Sequence, residues 1–111
     1  MRKISTSTMH ILENDPRMKF CALKKYIPHL CSRKIEFHHN LIYQGRQSDI
    51  PNTIIALCSD IHAQEKRKDI KEVIDWIMIN QMTEHDFSLI PKWTGRYKIG
   101  YLNKKYGQYK P

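Results

Sequence analysis

The most constraining feature of this sequence is an apolar stripe at helical spacing in its second half. Its members recur at i, i+3, i+4, i+7 and i+8: Ile70, Val73, Ile74, Ile77 and Met78. This period predicts one amphipathic helix with a single buried face. We interpret the stripe as core and not as a partner-binding surface. Trp76 lies off the stripe and is either a partner contact or a residue packed under the C-terminal tail.

Two short strand patterns precede the stripe. Residues 34–39 alternate charged and apolar side chains, and residues 53–57 form an apolar run that begins with β-branched residues. A polar loop with Gly45 and Pro51 separates the two patterns, and Ser59-Asp60 then offers a helix cap. The predicted order is therefore strand, loop, strand, helix.

The two ends of the chain carry weaker local signals. Residues 1–13 lack a pattern and are expected to be loosely ordered. Asp15-Pro16 is typical of a helix start, and that helix is predicted to run to about Tyr26. A last helix is predicted from Trp93 to near Gly107. With 111 residues, the chain has room for one small α+β domain and is too short for a two-domain dinucleotide-binding enzyme or a barrel enzyme.

The charge is positive and unevenly distributed. The chain has 19 Lys and Arg against 11 Asp and Glu, a formal net charge of +8. Residues 1–34 carry +6, residues 35–66 carry −2 and residues 67–111 carry +4. Basic flanks suit a polyanion such as nucleic acid, although basic surfaces also serve solubility alone.

The C-terminal tail combines positive charge with aromatic rings. Residues 92–111 contain six Lys and Arg, no acidic residue, four Tyr and Trp93. This composition favours phosphate contacts with base stacking, or else an aromatic core with solvated lysines. The candidate nucleic-acid-binding residues, including one in the polar loop, are Arg46, Lys92, Arg96, Lys98, Lys104 and Lys105.

The densest chemical signal is a set of three histidines and one asparagine. His38 and His39 end the first strand pattern, Asn52 precedes the second, and His62 follows it at a helix start. A neutral imidazole serves as a base or a metal ligand at neutral pH. Because adjacent strand residues face opposite sides, a bulge or strand end would have to turn His38 and His39 toward one site. The alternative is a histidine pair on a surface turn.

Three blocks of the sequence resemble the HNH, or ββα-metal, endonucleases, most closely the small ones of phages and bacteria. These blocks are residues 35–47 (IEFHHNLIYQGRQ), 55–62 (IALCSDIH) and 101–107 (YLNKKYG). The resemblance implies a single HNH-type domain over residues 1–111. Its ββα-metal core would span about residues 31–66, with a helical C-terminal extension over about residues 67–111.

The resemblance also implies a role for each motif residue. His39 matches the general base that activates water, and His38 and His62 match ligands of one divalent metal ion. Asn52 matches the residue that holds the base in place. The implied metal is Mg²⁺, with Mn²⁺, Ni²⁺ and Zn²⁺ also used in the family.

The function implied by the resemblance is metal-dependent cleavage of DNA phosphodiester bonds that leaves 5′-phosphate ends. Duplex DNA cut with low sequence specificity is the expected substrate, and a homodimer is one route to cutting both strands. One alternative is a catalytically weak or inactive HNH-like module that binds nucleic acid or assists recombination. Another is a protein that captures a protein partner.

The cysteines depart from the family pattern. Many members carry a structural zinc between paired Cys-x-x-Cys elements, and neither pair is intact here. Cys21, Cys31 and Cys58 remain as ligand candidates, with His29 as a fourth that nothing in the sequence fixes. The sequence favours the alternative in which three metal-free thiols pack as small hydrophobic side chains.

The sequence contains no apolar run long enough to span a bilayer, and residues 1–10 have no apolar segment typical of a secretory signal. We therefore expect no membrane partner and a cytoplasmic location in a bacterium or a phage-infected cell.

Overall fold

The computed structural model describes residues 4–27, 29–31, 34–43, 46–90 and 99–107. An antiparallel sheet joins β1 (Ile35–His39) to β4 (Ile54–Cys58), with pairs running from Ile35 opposite Cys58 to His39 opposite Ile54. Both strands lie where the sequence predicts them. With the helices packed around this sheet, the fold is a small α+β domain, which confirms the predicted class.

The strand β4 is buried along its whole length because both of its faces are covered. Ile55 and Leu57 pack in the larger core cluster, and Ile54 and Ala56 pack in a smaller one with Leu12. This separation follows the two-residue alternation of a strand. An apolar run without polar interruption is what a strand buried on both sides requires.

The apolar stripe forms the predicted helix, α3 (Lys68–Gln81), and its five residues are all buried. Trp76 is also buried, at 3% exposure, and its Nε1 donates to the Gly107 carbonyl oxygen at 2.8 Å. The rings of Tyr26 and Tyr106 both lie 5.2 Å from the Trp76 ring. The packing interpretation of Trp76 is thus confirmed, and the partner-contact interpretation is wrong.

The last helix, α5 (Ile99–Tyr106), lies within the predicted C-terminal range and packs against α3. Residues 91–98, including Trp93 and Tyr97, are outside the described residues. Leu102 of α5 is 2% exposed and belongs to the larger core cluster, so this residue of the tail is core.

Two expectations for the N-terminal region are wrong. Residues expected to be loosely ordered form α1 (Thr6–Glu13), because buried Leu12 anchors this helix in the core and Thr8 Oγ1 donates to the Asp49 carbonyl oxygen at 3.1 Å. The helix predicted from residue 16 to residue 26 is only a 3₁₀ helix, Pro16–Lys19. The following backbone turns to β4, where the Ala22 amide donates to the Ala56 carbonyl oxygen at 2.8 Å.

Shorter elements complete the fold. The polar loop contains a hairpin of β2 (Ile42–Tyr43) and β3 (Arg46–Gln47), followed by a 3₁₀ helix, Pro51–Thr53. Next comes α2 (Ser59–His62), whose N-cap is Cys58, one residue before the predicted cap. Among the described residues, none of the helices has both the length and the apolar character that crossing a bilayer requires.

The helix α4 (Glu84–Ser88) has Thr83 as its N-cap, and its capping box includes a buried carboxylate. Asp86 Oδ2 accepts from the Thr83 amide at 2.9 Å and from Asn52 Nδ2 at 2.8 Å. Replacing Asp86 by alanine leaves both donors without this acceptor, so we expect a loss of about 1–3 kcal/mol of unfolding free energy. Urea denaturation at equilibrium measures this loss.

Glu84→Ala is the matched control, because Glu84 is an exposed acidic residue in the first turn of the same helix. We expect it to change stability by less than about 0.5 kcal/mol. Equal midpoints for the two variants would contradict the role given to Asp86.

Candidate metal centre

The end of β1 and the region of α2 bring three ligand atoms together. His38 Nδ1 lies 2.7 Å from Glu65 Oε2, and His62 Nε2 lies 3.3 Å from the same oxygen. The ligand atoms of these three residues are all within 4.8 Å of one another. The structure therefore brings together His38 and His62, the two predicted metal ligands, and adds a carboxylate.

The Glu65 oxygen has an unusual environment. Oε2 is buried, and among the described residues no donor makes a well-aligned hydrogen bond to it. Both imidazole nitrogens nevertheless lie close to this oxygen. Close ligand atoms that do not hydrogen bond to one another are expected where their lone pairs point to a shared position, as in a metal site.

Outer hydrogen bonds orient the two imidazole rings. His62 Nδ1 donates to Glu36 Oε1 at 2.8 Å, which leaves Nε2 to face Glu65. Asn40 Nδ2 donates to Asp75 Oδ1 at 2.9 Å, so Asn40 Oδ1 is the atom that accepts from His38 Nε2 at 3.3 Å. Each ring thus keeps a lone pair on the nitrogen nearest Glu65, the arrangement that outer partners of metal-bound histidines produce.

The pKa of His38 is shifted in the direction that favours a metal ligand. Burial lowers this pKa, the neighbouring Glu65 carboxylate raises it, and His62 and Lys71 lower it further. The net effect is a lowered pKa, so His38 is neutral at neutral pH. Neutral imidazole is the form that coordinates a metal.

His39 lies on the opposite face of β1 from His38. The register is regular up to His39, the last residue of β1, so within this described strand neither a bulge nor the strand end turns both rings to one site. The His39 side chain is 3% exposed, and its Nε2 lies 3.2 Å from Asp49 Oδ1. Asp49 Oδ2 also accepts from the Ser5 amide at 3.1 Å, which links His39 to the start of α1.

The Asn52 side chain bonds to residues other than His39. Its Nδ2 donates to Asp86 Oδ2, and its Oδ1 accepts from Arg17 Nη2 at 3.1 Å. Within the described residues, no hydrogen bond joins Asn52 to His39. Asn52 thus connects its loop to the first 3₁₀ helix and to α4. In the described structure it does not hold His39, the residue that the resemblance assigns as the base.

The candidate nucleic-acid-binding residues have different positions. Lys104 is exposed on α5, whereas Lys105 Nζ is paired with Glu72 Oε1 at 2.5 Å. Arg46 lies in β3, and its side chain is outside the described part of the structure. The other three candidates lie outside the described residues: Lys92, Arg96 and Lys98.

The cysteine candidates lie together in a second cluster. The ligand atoms of Cys21, His29, Cys31 and Cys58 are all within 4.8 Å of one another. The sequence favours three unligated thiols and leaves His29 open as a fourth ligand, whereas the structure places all four donors together.

Comparisons with known proteins give no assignment. No protein-family model, no curated protein and no solved structure matches this chain. The resemblance to HNH endonucleases thus rests on the three sequence blocks alone, and it stays a prediction. The functional argument depends on the geometry of the candidate site.

Sequence reasoning missed four residues around the histidines. Glu65 is three residues after His62, a spacing that places two side chains on one face of a helical turn. Glu36 is two residues before His38 and therefore faces the same side of β1. These spacings could have identified both, whereas Asn40 and Asp49 depend on loop geometry that no local pattern gives.

Proposed function

We propose that this chain is a metal-dependent endonuclease that hydrolyses DNA phosphodiester bonds, with a ββα-metal core built from β1, β4 and α2. The observation that carries the proposal is the convergence of His38, His62 and Glu65, with His39 next in the strand. The formal charge of +8 supports a polyanionic substrate.

The three residues fit a divalent metal. His38 Nδ1, His62 Nε2 and one Glu65 oxygen would bind it, and three protein ligands leave positions for water and substrate. Two imidazoles with one carboxylate favour Zn²⁺, Ni²⁺ or Mn²⁺ over the Mg²⁺ that the resemblance implies. When bound, the metal stabilises negative charge on the phosphate and on the leaving oxygen.

His39 is the proposed general base. Its Nε2–H donates to Asp49 Oδ1, which leaves the Nδ1 lone pair to take a proton from water. The Asp49 carboxylate would hold this tautomer and stabilise the imidazolium that forms, as a carboxylate paired with histidine does in other hydrolases. Asp49 is therefore a positioning residue.

The burial of His39 favours one alternative, a catalytically weak or inactive module that binds nucleic acid. A general base must come within hydrogen-bonding distance of the water that it deprotonates. The His39 side chain is only 3% exposed, so little of the ring is open to solvent. The alternative retains the basic surface and has no cleavage step.

Incubation of the full-length protein with supercoiled plasmid tests the proposal. Parallel reactions contain Mg²⁺, Mn²⁺, Ni²⁺, Zn²⁺ or EDTA, and gels separate supercoiled, nicked and linear DNA. We expect nicking with at least one metal and none with EDTA. Plasmid retention that weakens with salt, without cleavage in any metal, would support the binding module instead. If the protein neither cleaves nor retains the plasmid, both the endonuclease proposal and the binding-module alternative are contradicted.

Glu36→Gln should weaken metal binding without removing a ligand. The amide oxygen still accepts from His62 Nδ1, but the loss of charge lowers the basicity of the ring. We expect the dissociation constant for Mn²⁺ to rise about 10- to 100-fold. Isothermal titration calorimetry measures it, with exposed Glu13→Gln as the control that removes the same charge elsewhere. Equal affinities for the two variants would contradict the role of Glu36.

A further inference from the structure

The second cluster contains all three cysteines of the chain and one histidine. Cys58 is the last residue of β4 and the N-cap of α2, whereas Cys21, His29 and Cys31 come from the irregular segment after the first 3₁₀ helix. Cys21 and Cys58 are buried, and His29 and Cys31 are half-buried. Two distant parts of the sequence therefore contribute soft donors to one place.

The arrangement of these donors suits a tetrahedral ion. Cys21 Sγ lies 3.8 Å from His29 Nε2. With metal–sulfur and metal–nitrogen bonds of about 2.3 and 2.0 Å, ligand atoms of a tetrahedral zinc lie about 3.5–3.8 Å apart. All pairs of ligand atoms in this cluster lie within 4.8 Å of one another, so the cluster would contract only a little to reach these distances.

The histidine is oriented as a ligand. His29 Nδ1 lies 2.7 Å from the Ile27 carbonyl oxygen, which can only accept, so Nδ1 carries the proton. The lone pair is then on Nε2, the nitrogen that faces Cys21. A backbone carbonyl bonded to the far nitrogen is a usual outer partner of a histidine bound to a metal.

The three sulfurs lie close together without a covalent bond between them. All three cysteines are thiols and form no disulfide. A dication at the centre of the cluster would bind them as thiolates and displace their protons.

We propose that Cys21, His29, Cys31 and Cys58 bind one structural zinc ion. Three thiolates and one imidazole form a complete tetrahedral donor set with no position left for substrate, which distinguishes a structural site from a catalytic one. The ion would fasten the irregular segment to the junction of β4 and α2. Because His62 is four residues after Cys58, the same ion would fix the start of the helix that carries a ligand of the other centre.

The first test measures metal in the full-length protein and does not depend on nuclease activity. We expect one zinc per chain after extensive dialysis, and the same content in a His38→Ala/His62→Ala variant. Zinc lost in that variant would place the ion at the other centre and overturn the proposal. Absence of retained zinc, together with failure of the metal-free protein to take it up, would also overturn it.

The second test uses Co²⁺ as a spectroscopic replacement. Thiolate-bound tetrahedral cobalt gives charge-transfer absorption in the near ultraviolet and intense ligand-field bands in the visible. We expect both in the wild-type protein, so the test does not require that a variant folds. Weak bands of octahedral cobalt without charge transfer would overturn the proposal.

Variants then assign the ligands. Cys31→Ser and His29→Ala should lose the tetrahedral spectrum, whereas His29→Cys should keep it with stronger charge transfer. Exposed His10→Gln is the matched control and should behave as wild type. Chelation should lower the melting temperature by about 10 °C or more, because the ion fastens two segments together. An unchanged melting temperature after complete zinc removal would contradict the structural role.

Discussion

Replacing His38 by alanine is expected to lower metal-dependent plasmid cleavage about a thousand-fold, because a metal ion supplies several kcal/mol of charge stabilisation in the transition state. His38 is the ligand with the strongest support from its surroundings. Asn40 holds its Nε2, Glu65 lies next to its Nδ1, and its lowered pKa keeps the ring neutral. The variant leaves only His62 and Glu65 to hold the ion.

Initial rates of nicking at several Mn²⁺ concentrations measure this effect and separate lost affinity from lost turnover. His85→Ala is the matched control, because His85 is exposed on α4. We expect it to cleave at the wild-type rate. Cleavage by His38→Ala at the wild-type rate, with an unchanged far-ultraviolet circular dichroism spectrum, would show that this centre does not serve catalysis.

The elements that the sequence predicts correctly are those with a local cause. The helical period of the apolar residues in α3 indicates which side of the helix is buried. The uninterrupted apolar run of β4 indicates a strand that is covered on both faces. Neither inference needs knowledge of the partner element.

The N-terminal errors come from contacts between residues far apart in the sequence. The α1 helix has no strong apolar period, and it is held by Leu12 in the core and by Thr8 on the Asp49 backbone. The signal at Asp15-Pro16 marks a real turn start, with Asp15 accepting from the Arg17 amide at 2.9 Å. The chain then leaves the helical path because Ala22 pairs with β4, and a local pattern carries no information about that pairing.

The residues of the candidate site also fall into two groups, those that the sequence identifies and those that only the tertiary structure brings in. The resemblance identified His38, His39, Asn52 and His62, and it required a bulge or strand end to turn His38 and His39 toward one site. The regular strand instead keeps these two on opposite faces. The tertiary structure then brings in partners from other segments, such as Asp75 for the Asn40 amide and Asp49 for His39. The zinc candidate is the clearest example, because Cys58 is 27 residues from Cys31 in the sequence and meets it only through the fold.

His39→Ala is expected to reduce cleavage about 10²- to 10⁴-fold, the usual contribution of a general base, while plasmid retention stays at the wild-type level. His39 makes no metal-ligand contact in the described structure and faces Asp49 instead. Its removal should therefore leave Mn²⁺ affinity unchanged, in contrast to His38→Ala. Nicking rates, gel-shift titrations over a range of salt concentrations and calorimetry measure these three quantities.

Asp49→Asn makes this test specific to the proposed role of His39. The amide still accepts from His39 Nε2 but no longer stabilises the imidazolium that would form in the reaction. We expect a smaller rate loss than for His39→Ala, with Mn²⁺ affinity, plasmid retention and melting temperature at their wild-type values. A rate loss that accompanies a lower melting temperature would assign Asp49 to structure alone. Wild-type cleavage by His39→Ala would remove the base assignment, and the buried position of His39 would then be explained by core packing.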